Sequence, residues 1–231
     1  MTDLESTFIP ADQSSPGYYG PSQTALLIMD FHQFIVDRAG DRSGSATQTA
    51  SKLGRWALSK GITVIHALID IEDKPFPTRK NHQRIAELVE TVKKDVGYDE
   101  PEYLRAVGKF YYCFGISAAD VVTKADAAEE LTFKRPPGHV SALESHGLRE
   151  FLKKRNMKSL ILCGLSTSGC TLRTGNAANE ARYDVTVISD GCADGNQDVH
   201  DMLISKILPM TAQVTIVENF EKGYSVIQSE A

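Results

Sequence analysis

The sequence predicts a single α/β domain built on a doubly wound parallel sheet. Three observations carry that expectation. Short aliphatic runs recur along the chain, stretches at helical spacing separate them, and a polar or acidic residue or a glycine closes most of the runs. Alternating strand and helix signals are the pattern of parallel sheets covered by helices.

Length and composition agree. At 231 residues the chain can bury a substantial core. Its hydrophobic content of 42% and charged content of 24% are those of an ordinary globular protein. A formal charge of −5 gives no basic footprint for nucleic acid or anionic lipid, so the expected partner is a small molecule. No apolar run approaches the roughly 18 residues of a membrane span. The start, Met1 to Glu5, has neither the basic residues nor the apolar run of a secretory leader. The four cysteines, Cys113, Cys163, Cys170 and Cys192, form no C-x-x-C pair and no dense framework. Both features predict a cytoplasmic protein.

Along the chain, residues 1–23 are rich in Pro, Gly and Ser and predict an extended N-terminal arm, with the domain occupying 24–231. Strands are expected at Thr24–Met29, Ile62–Ile69, Glu130–Phe133, Leu160–Cys163, Val185–Ser189 and Gln213–Val217. Helices are expected at Ser45–Lys60, Asn81–Lys94, Leu143–Arg155, Cys170–Ala181 and Asp198–Leu208, the last ended by Pro209. The acidic loop after the second strand carries Asp70, Glu72 and Asp73, with His82 beyond it. It has no compact ligand spacing and reads as solvated, so no metal and no other cofactor is expected. The segment 98–114 is dense in aromatics, which fits a pocket wall, a subunit interface or a satellite core. The tail after Val217 offers no clear signal.

The stretch that organises the rest is Lys158–Asp194. It reads strand, turn, helix, strand, with Cys170 on the first turn of the helix. Free N–H groups and the positive end of the helix dipole converge there, favouring a thiolate and an oxyanion site. A small buried cysteine is the alternative. The run Gly164–Thr171 also has P-loop spacing, but cysteine stands where the phosphate-binding lysine belongs. Asp30 ends the first strand, where the ligand crevice of an open α/β sheet lies, as a candidate acid or base or else a cap. Lys134 leaves the third strand into Pro136-Pro137-Gly138 and reads as a cation held on a stiff turn or as a surface charge.

Together, TALLIMD ending at Asp30, FKRPPGHVSAL with Lys134 and Ser141-Ala142, and ILCGLSTSGCTLRTGNAANEARYDVTVISDGCAD with Cys170 resemble the isochorismatase-like hydrolases, the cysteine hydrolase superfamily, over about residues 24–217. The resemblance implies a three-layer α/β/α domain with a six-stranded parallel sheet and a homo-oligomer, dimer or tetramer. It implies a catalytic Asp30, Lys134 and Cys170, a cis peptide between Leu165 and Ser166, and an oxyanion hole from the N–H groups of Ser166 and Cys170. The metal-binding Asp-x-His of nicotinamidases is not matched by Asp70-Ile71-Glu72. The implied activity is hydrolysis of a small C–N amide or ureido bond through a thioester. Isochorismatase-type vinyl ether cleavage with Asp30 as acid, and a non-catalytic binder on the same fold, are the rival functions. Phe31, His32 and Arg173 are added as candidate pocket residues, the arginine for a substrate carboxylate.

Overall fold

The structure, a computed structural model, describes residues 8–36, 39–70, 83–84, 86–87, 90 and 129–230. Six strands form one sheet: β1 Thr24–Met29, β2 Thr63–Ile69, β3 Glu130–Arg135, β4 Ser159–Leu165, β5 Asp184–Ala193 and β6 Gln213–Thr215. Their order is β3-β2-β1-β4-β5-β6, and every neighbouring pair is parallel. All residues of β1, β2 and β4 are buried, as in strands with both faces covered. The helices are α1 Gln33–Val36, α2 Ser43–Ser59, α3 Leu148–Lys154, α4 Leu172–Glu180, α5 Gln197–Met202 and α6 Val217–Glu230.

The sheet is doubly wound. From β1 the chain steps one way through α2 to β2, and from β4 it steps the other way through α4 to β5. Right-handed crossovers in opposite directions put those two helices on opposite faces. The α2 stripe that buries against the sheet is mostly small, with Ala46, Ala50, Leu53 and Ala57, so the helix lies close. On α4, Gly175 faces Leu162 and Leu208 in the same manner.

Several elements depart from expectation. β5 runs four residues past Ser189, and its register against β4 shifts between Leu162 and Gly164. Gly191 permits this, because a Cβ there would lie 2.8 Å from that of Cys163. The last strand stops at Thr215, and the tail after it is the helix α6. Its buried residues Val217, Phe220, Tyr224 and Ile227 recur every three or four positions, a helical stripe that the β-branched run before it obscures. The helix expected at 81–94 falls largely outside the described residues; positions 83, 84, 86, 87 and 90 are helical. The aromatic segment 98–114 and Glu72, Asp73 and His82 of the acidic loop region lie wholly outside them.

The N-terminal segment folds back on its own domain over residues 8–23. Phe8 meets Phe220 with ring centroids 6.5 Å apart, and Trp56 of α2 meets Phe220 and Tyr224 edge-on. Gln228 Nε2 donates to the Gly17 carbonyl at 2.7 Å. A Cβ on Gly17 would lie 2.8 Å from the Tyr224 ring, so glycine permits this close approach.

Gly223 sets two effects of opposite sign against each other. A helical Gly→Ala change ordinarily stabilises by roughly 1 kcal/mol. Here a Cβ would enter the Phe8 ring, and overpacking of a core contact costs about 1–3 kcal/mol. Urea unfolding of Gly223→Ala is expected to show net destabilisation of about 1 kcal/mol, and a gain in stability would show that Phe8 does not pack there.

Candidate active site

The switch between the two winding directions lies where β1 and β4 adjoin, and their carboxyl ends open the crevice that such sheets use for ligands. Asp30 follows β1. Its φ of 60° is in the left-handed region, which aspartate tolerates better than most residues. Its N–H donates to the Ala67 carbonyl at 3.0 Å, tying it to β2. The residue is 4% exposed. Oδ2 accepts from Nη2 of Arg135, the last residue of β3. Oδ1 is buried and takes no hydrogen bond of ordinary geometry among the described residues.

Arg135 is 1% exposed. Its Nε donates to the His139 carbonyl at 2.9 Å. The Pro136-Pro137-Gly138 turn makes that possible: Gly138 has φ 94°, and the His139 N–H returns to the Pro136 carbonyl at 3.2 Å. The turn that was expected to stiffen a lysine instead holds a guanidinium.

Cys170 sits on a wide helical turn, Thr167–Thr171, interrupted at Gly169 with φ −96° and ψ −107°. The Leu165–Ser166 peptide before it is cis. The Ser166 carbonyl accepts from the N–H groups of Gly169 and Thr171 at 3.2 and 3.3 Å. Side chains from later elements brace the turn: Asp194 Oδ2 accepts from the Ser168 N–H at 2.8 Å, and Thr167 Oγ1 lies 2.8 Å from His200 Nδ1. Gly164 leaves room for the sulfur, since a Cβ there would lie 3.1 Å from Cys170 Sγ and 3.0 Å from the Met29 Cβ.

The thiol is 2% exposed. Its sulfur lies 3.2 Å from the Leu165 carbonyl and 3.7 Å from that of Ser166, and the Asp30 carboxylate is near enough for its charge to act on the thiol. Burial, above all, and then the Asp30 charge push its pKa well up, against the opposing pull of Arg135. Lost hydration thus works against the thiolate that the helix terminus favours.

A cavity of about 740 Å³ opens over these groups, lined by Asp30, Arg135, Leu165, Ser166, Gly169 and Cys170 among others. That volume suits a small organic ligand. Arg84, Glu87, His139 and Asp194 add polar wall. Among the described residues no cluster of three His, Cys, Asp or Glu is placed to hold a metal ion, and no helix is long and apolar enough to cross a membrane.

Asp30, Ser166 and Cys170 thus come together. Lys134 does not join them. It is exposed on the opposite face of β3 from Arg135, because successive strand residues alternate sides. Its main-chain carbonyl accepts from the His146 N–H at 2.9 Å. Phe31, His32 and Arg173 are not among the described residues that line the cavity. Phe31 and His32 are buried behind it, and Arg173 is exposed on α4. Sequence reasoning missed Arg135, though it falls on the Leu131 and Phe133 side of β3 by simple alternation. It also missed Asp194, Thr167 and His200, whose roles depend on contacts distant in sequence.

His32 has a structural task. Its Nε2 accepts the Ile69 N–H at 3.1 Å, which requires a neutral ring. Its pKa falls from 6.5 to about 4, chiefly through burial, with Arg135 and Lys134 adding to the drop and Asp30 opposing it. The unfolded ring binds a proton more readily, so this contribution is complete above pH 6.5 and is lost as pH falls towards 4. The loss is at most about 3 kcal/mol. Urea midpoints measured across that range should fall more steeply for the wild type than for His32→Gln; parallel curves would contradict the assignment.

Comparison with known proteins accords with this geometry. The solved structure of a cysteine hydrolase from Pseudomonas syringae pv. phaseolicola superposes with a TM-score of 0.64 at 17% identity, covering 90% of this chain and 94% of that one. A nicotinamidase from Staphylococcus aureus superposes with a TM-score of 0.53 at 16% identity, covering 84% and 98%. The chain is 30% identical over 67 residues to YecD of Escherichia coli O157:H7, an uncharacterised isochorismatase family protein, which covers 29% of this chain and 36% of that relative. The isochorismatase domain model matches residues 24–219. With its strands, its crevice and its cysteine turn all inside that span, the chain belongs to the isochorismatase family.

Proposed function

We propose that the protein is a thiol-dependent hydrolase of a small-molecule C–N amide or ureido bond. One observation carries the reading: a buried Cys170 thiol lies beside the Asp30 carboxylate at the floor of a cavity of about 740 Å³. A carboxylate beside a thiol sets a base next to a nucleophile, a pairing that serves nucleophilic acyl transfer. The nicotinamidase that shares the fold hydrolyses a C–N bond of this class.

In the proposed reaction the Cys170 S–H proton passes to Asp30 as the sulfur attacks the carbonyl carbon. The N–H groups of Ser166 and Cys170 hold the oxyanion of the tetrahedral adduct. The adduct collapses with cleavage of the C–N bond, and the leaving nitrogen takes the proton from Asp30. The acyl group remains as a thioester. Asp30 then removes a proton from water, which attacks the thioester, and the departing sulfur regains a proton as the acid product leaves. A thiol that is protonated at rest suits this scheme, because the sulfur gains charge only when an electrophile is in place.

Intact-protein mass spectrometry with a panel of small amides, ureides and vinyl ethers tests the reading. A transient acyl adduct on wild type, with product formation abolished in Cys170→Ala, is the expected outcome. Asp30→Asn should lower turnover by about 10²–10⁴-fold. Product from a vinyl ether in Cys170→Ala, without any adduct, would replace amide hydrolysis by proton-initiated ether cleavage. Gly164→Ala should lower kcat by about a hundredfold, the cost of displacing a reacting atom by roughly 1 Å, while leaving the fold intact by circular dichroism. Unaltered kcat would show that the sulfur is not held against the Gly164 backbone.

A further inference from the structure

We infer that Arg135 is the cation of the thiol site, a positioning residue that acts through the Asp30 carboxylate and the Cys170 sulfur, and that Lys134 has no part in the site. The inference deepens the proposed chemistry and rests on it only for the catalytic consequence. The geometry stands by itself. Arg135 is 1% exposed and lines the cavity, whereas Lys134 is exposed on the other face of β3. The guanidinium spends two of its donors on fixed acceptors, Nε on the His139 carbonyl and Nη2 on Asp30 Oδ2. A rigid fork held at two points orients the carboxylate as a single ammonium nitrogen does not. The other carboxylate oxygen, Oδ1, is buried and takes no ordinary hydrogen bond among the described residues. The arginine thus leaves one oxygen of Asp30 for the proton of the thiol.

The chemical consequence concerns proton traffic. A lysine can be driven to give up its proton when buried, but a guanidinium stays charged at any pH the protein survives. Arg135 therefore supplies charge and orientation and never a proton. Among the described residues, Asp30 is the side chain beside Cys170 placed to exchange protons during turnover. The positive charge also favours the thiolate against burial and against Asp30, so its removal must make the thiol harder to ionise.

The test uses iodoacetamide as the probe and needs no substrate. Alkylation of Cys170 is followed by intact mass and peptide mapping across an alkaline pH series, with Cys170→Ala as the control for other cysteines. Arg135→Met should move the midpoint of the rate profile to higher pH by one unit or more, which slows alkylation about tenfold near pH 8.5. Arg135→Lys should recover part of the shift, a rescue that a purely structural role would not produce. Lys134→Met should coincide with wild type. Should Arg135→Met fail to fold, the comparison of Arg135→Lys with Lys134→Met decides, because the charge is retained in the first and lost in the second. A shift in Lys134→Met, or wild-type profiles in both Arg135 variants, overturns the inference. A dependence on Arg135 in a protein that turns over no amide would leave the inference standing and remove the amidase reading.

Discussion

The buried pair between Asp30 and Arg135 is the constraint on which the crevice depends. The carboxylate ends β1 and the guanidinium ends β3, so the pair bridges the end of β2, which lies between them. Burying either ion alone is strongly unfavourable, and breaking such a pair costs about 3–5 kcal/mol. The carboxyl ends of three strands must therefore finish at matching heights. The sheet enforces this through the Asp30 N–H on Ala67 and the Asp70 N–H on the Arg135 carbonyl at 2.8 Å. The left-handed backbone of Asp30 turns its side chain over the end of the sheet. Unusual backbone of this kind persists where the surroundings hold it in place.

The Cys170 turn is built on the other side of the same boundary and obeys a different rule. Its backbone is irregular, so its conformation is imposed from outside. Asp194, at the end of β5, takes the Ser168 N–H, and His200 on α5 meets Thr167. Thr171 Oγ1 reaches the Gly164 carbonyl at 3.4 Å and approaches Cys192 Sγ at 3.7 Å. Three elements, β4, β5 and α5, thus set the height of one sulfur atom. The bare Gly164 backbone beneath it lets that atom sit low, out of water and against Asp30. Burial raises the pKa of the thiol, so the site disfavours a free thiolate at its centre.

Much of this was legible in the sequence, for identifiable reasons. The aliphatic runs of β1, β2 and β4 are buried on both faces and announce themselves by composition. Asp30 follows one such run directly and Cys170 follows another across a short turn, where topology brings residues together. Arg135, and not Lys134, lines the cavity because a strand alternates faces, and the block FKRPP presents two adjacent cations between which sequence alone does not choose. The Leu131 and Phe133 side points to Arg135, but both neighbours are only half-buried, and the local signal is weak. The helix α6 was lost for a related reason: Val214 to Val217 reads as a strand, although Val217, Phe220, Tyr224 and Ile227 keep helical spacing. Arg173 was placed in the pocket by proximity to Cys170, whereas three residues along this turn and helix carry a side chain outside. Asp194 and His200 had no local signature at all, since their partners are set only by the closed fold.

The division between sheet and loops extends to charge. At the floor of the cavity the opposite charges of Asp30 and Arg135 are paired, which leaves a local dipole and no net charge on the pair. Under the proposed function such a floor offers a substrate little net charge to select by. Discrimination falls to the wall, where Arg84, Glu87 and Asp194 stand. Asp194 is already engaged with two backbone N–H groups, at 2.8 Å and 3.2 Å, and is committed to the Cys170 turn. Arg84 and Glu87 lie between β2 and β3, in the long connection that leaves the sheet and returns to it. A parallel sheet fixes the ends of such a connection and leaves its length and composition unconstrained. The chemistry can thus stay constant at the strand ends while that connection changes what is admitted to them.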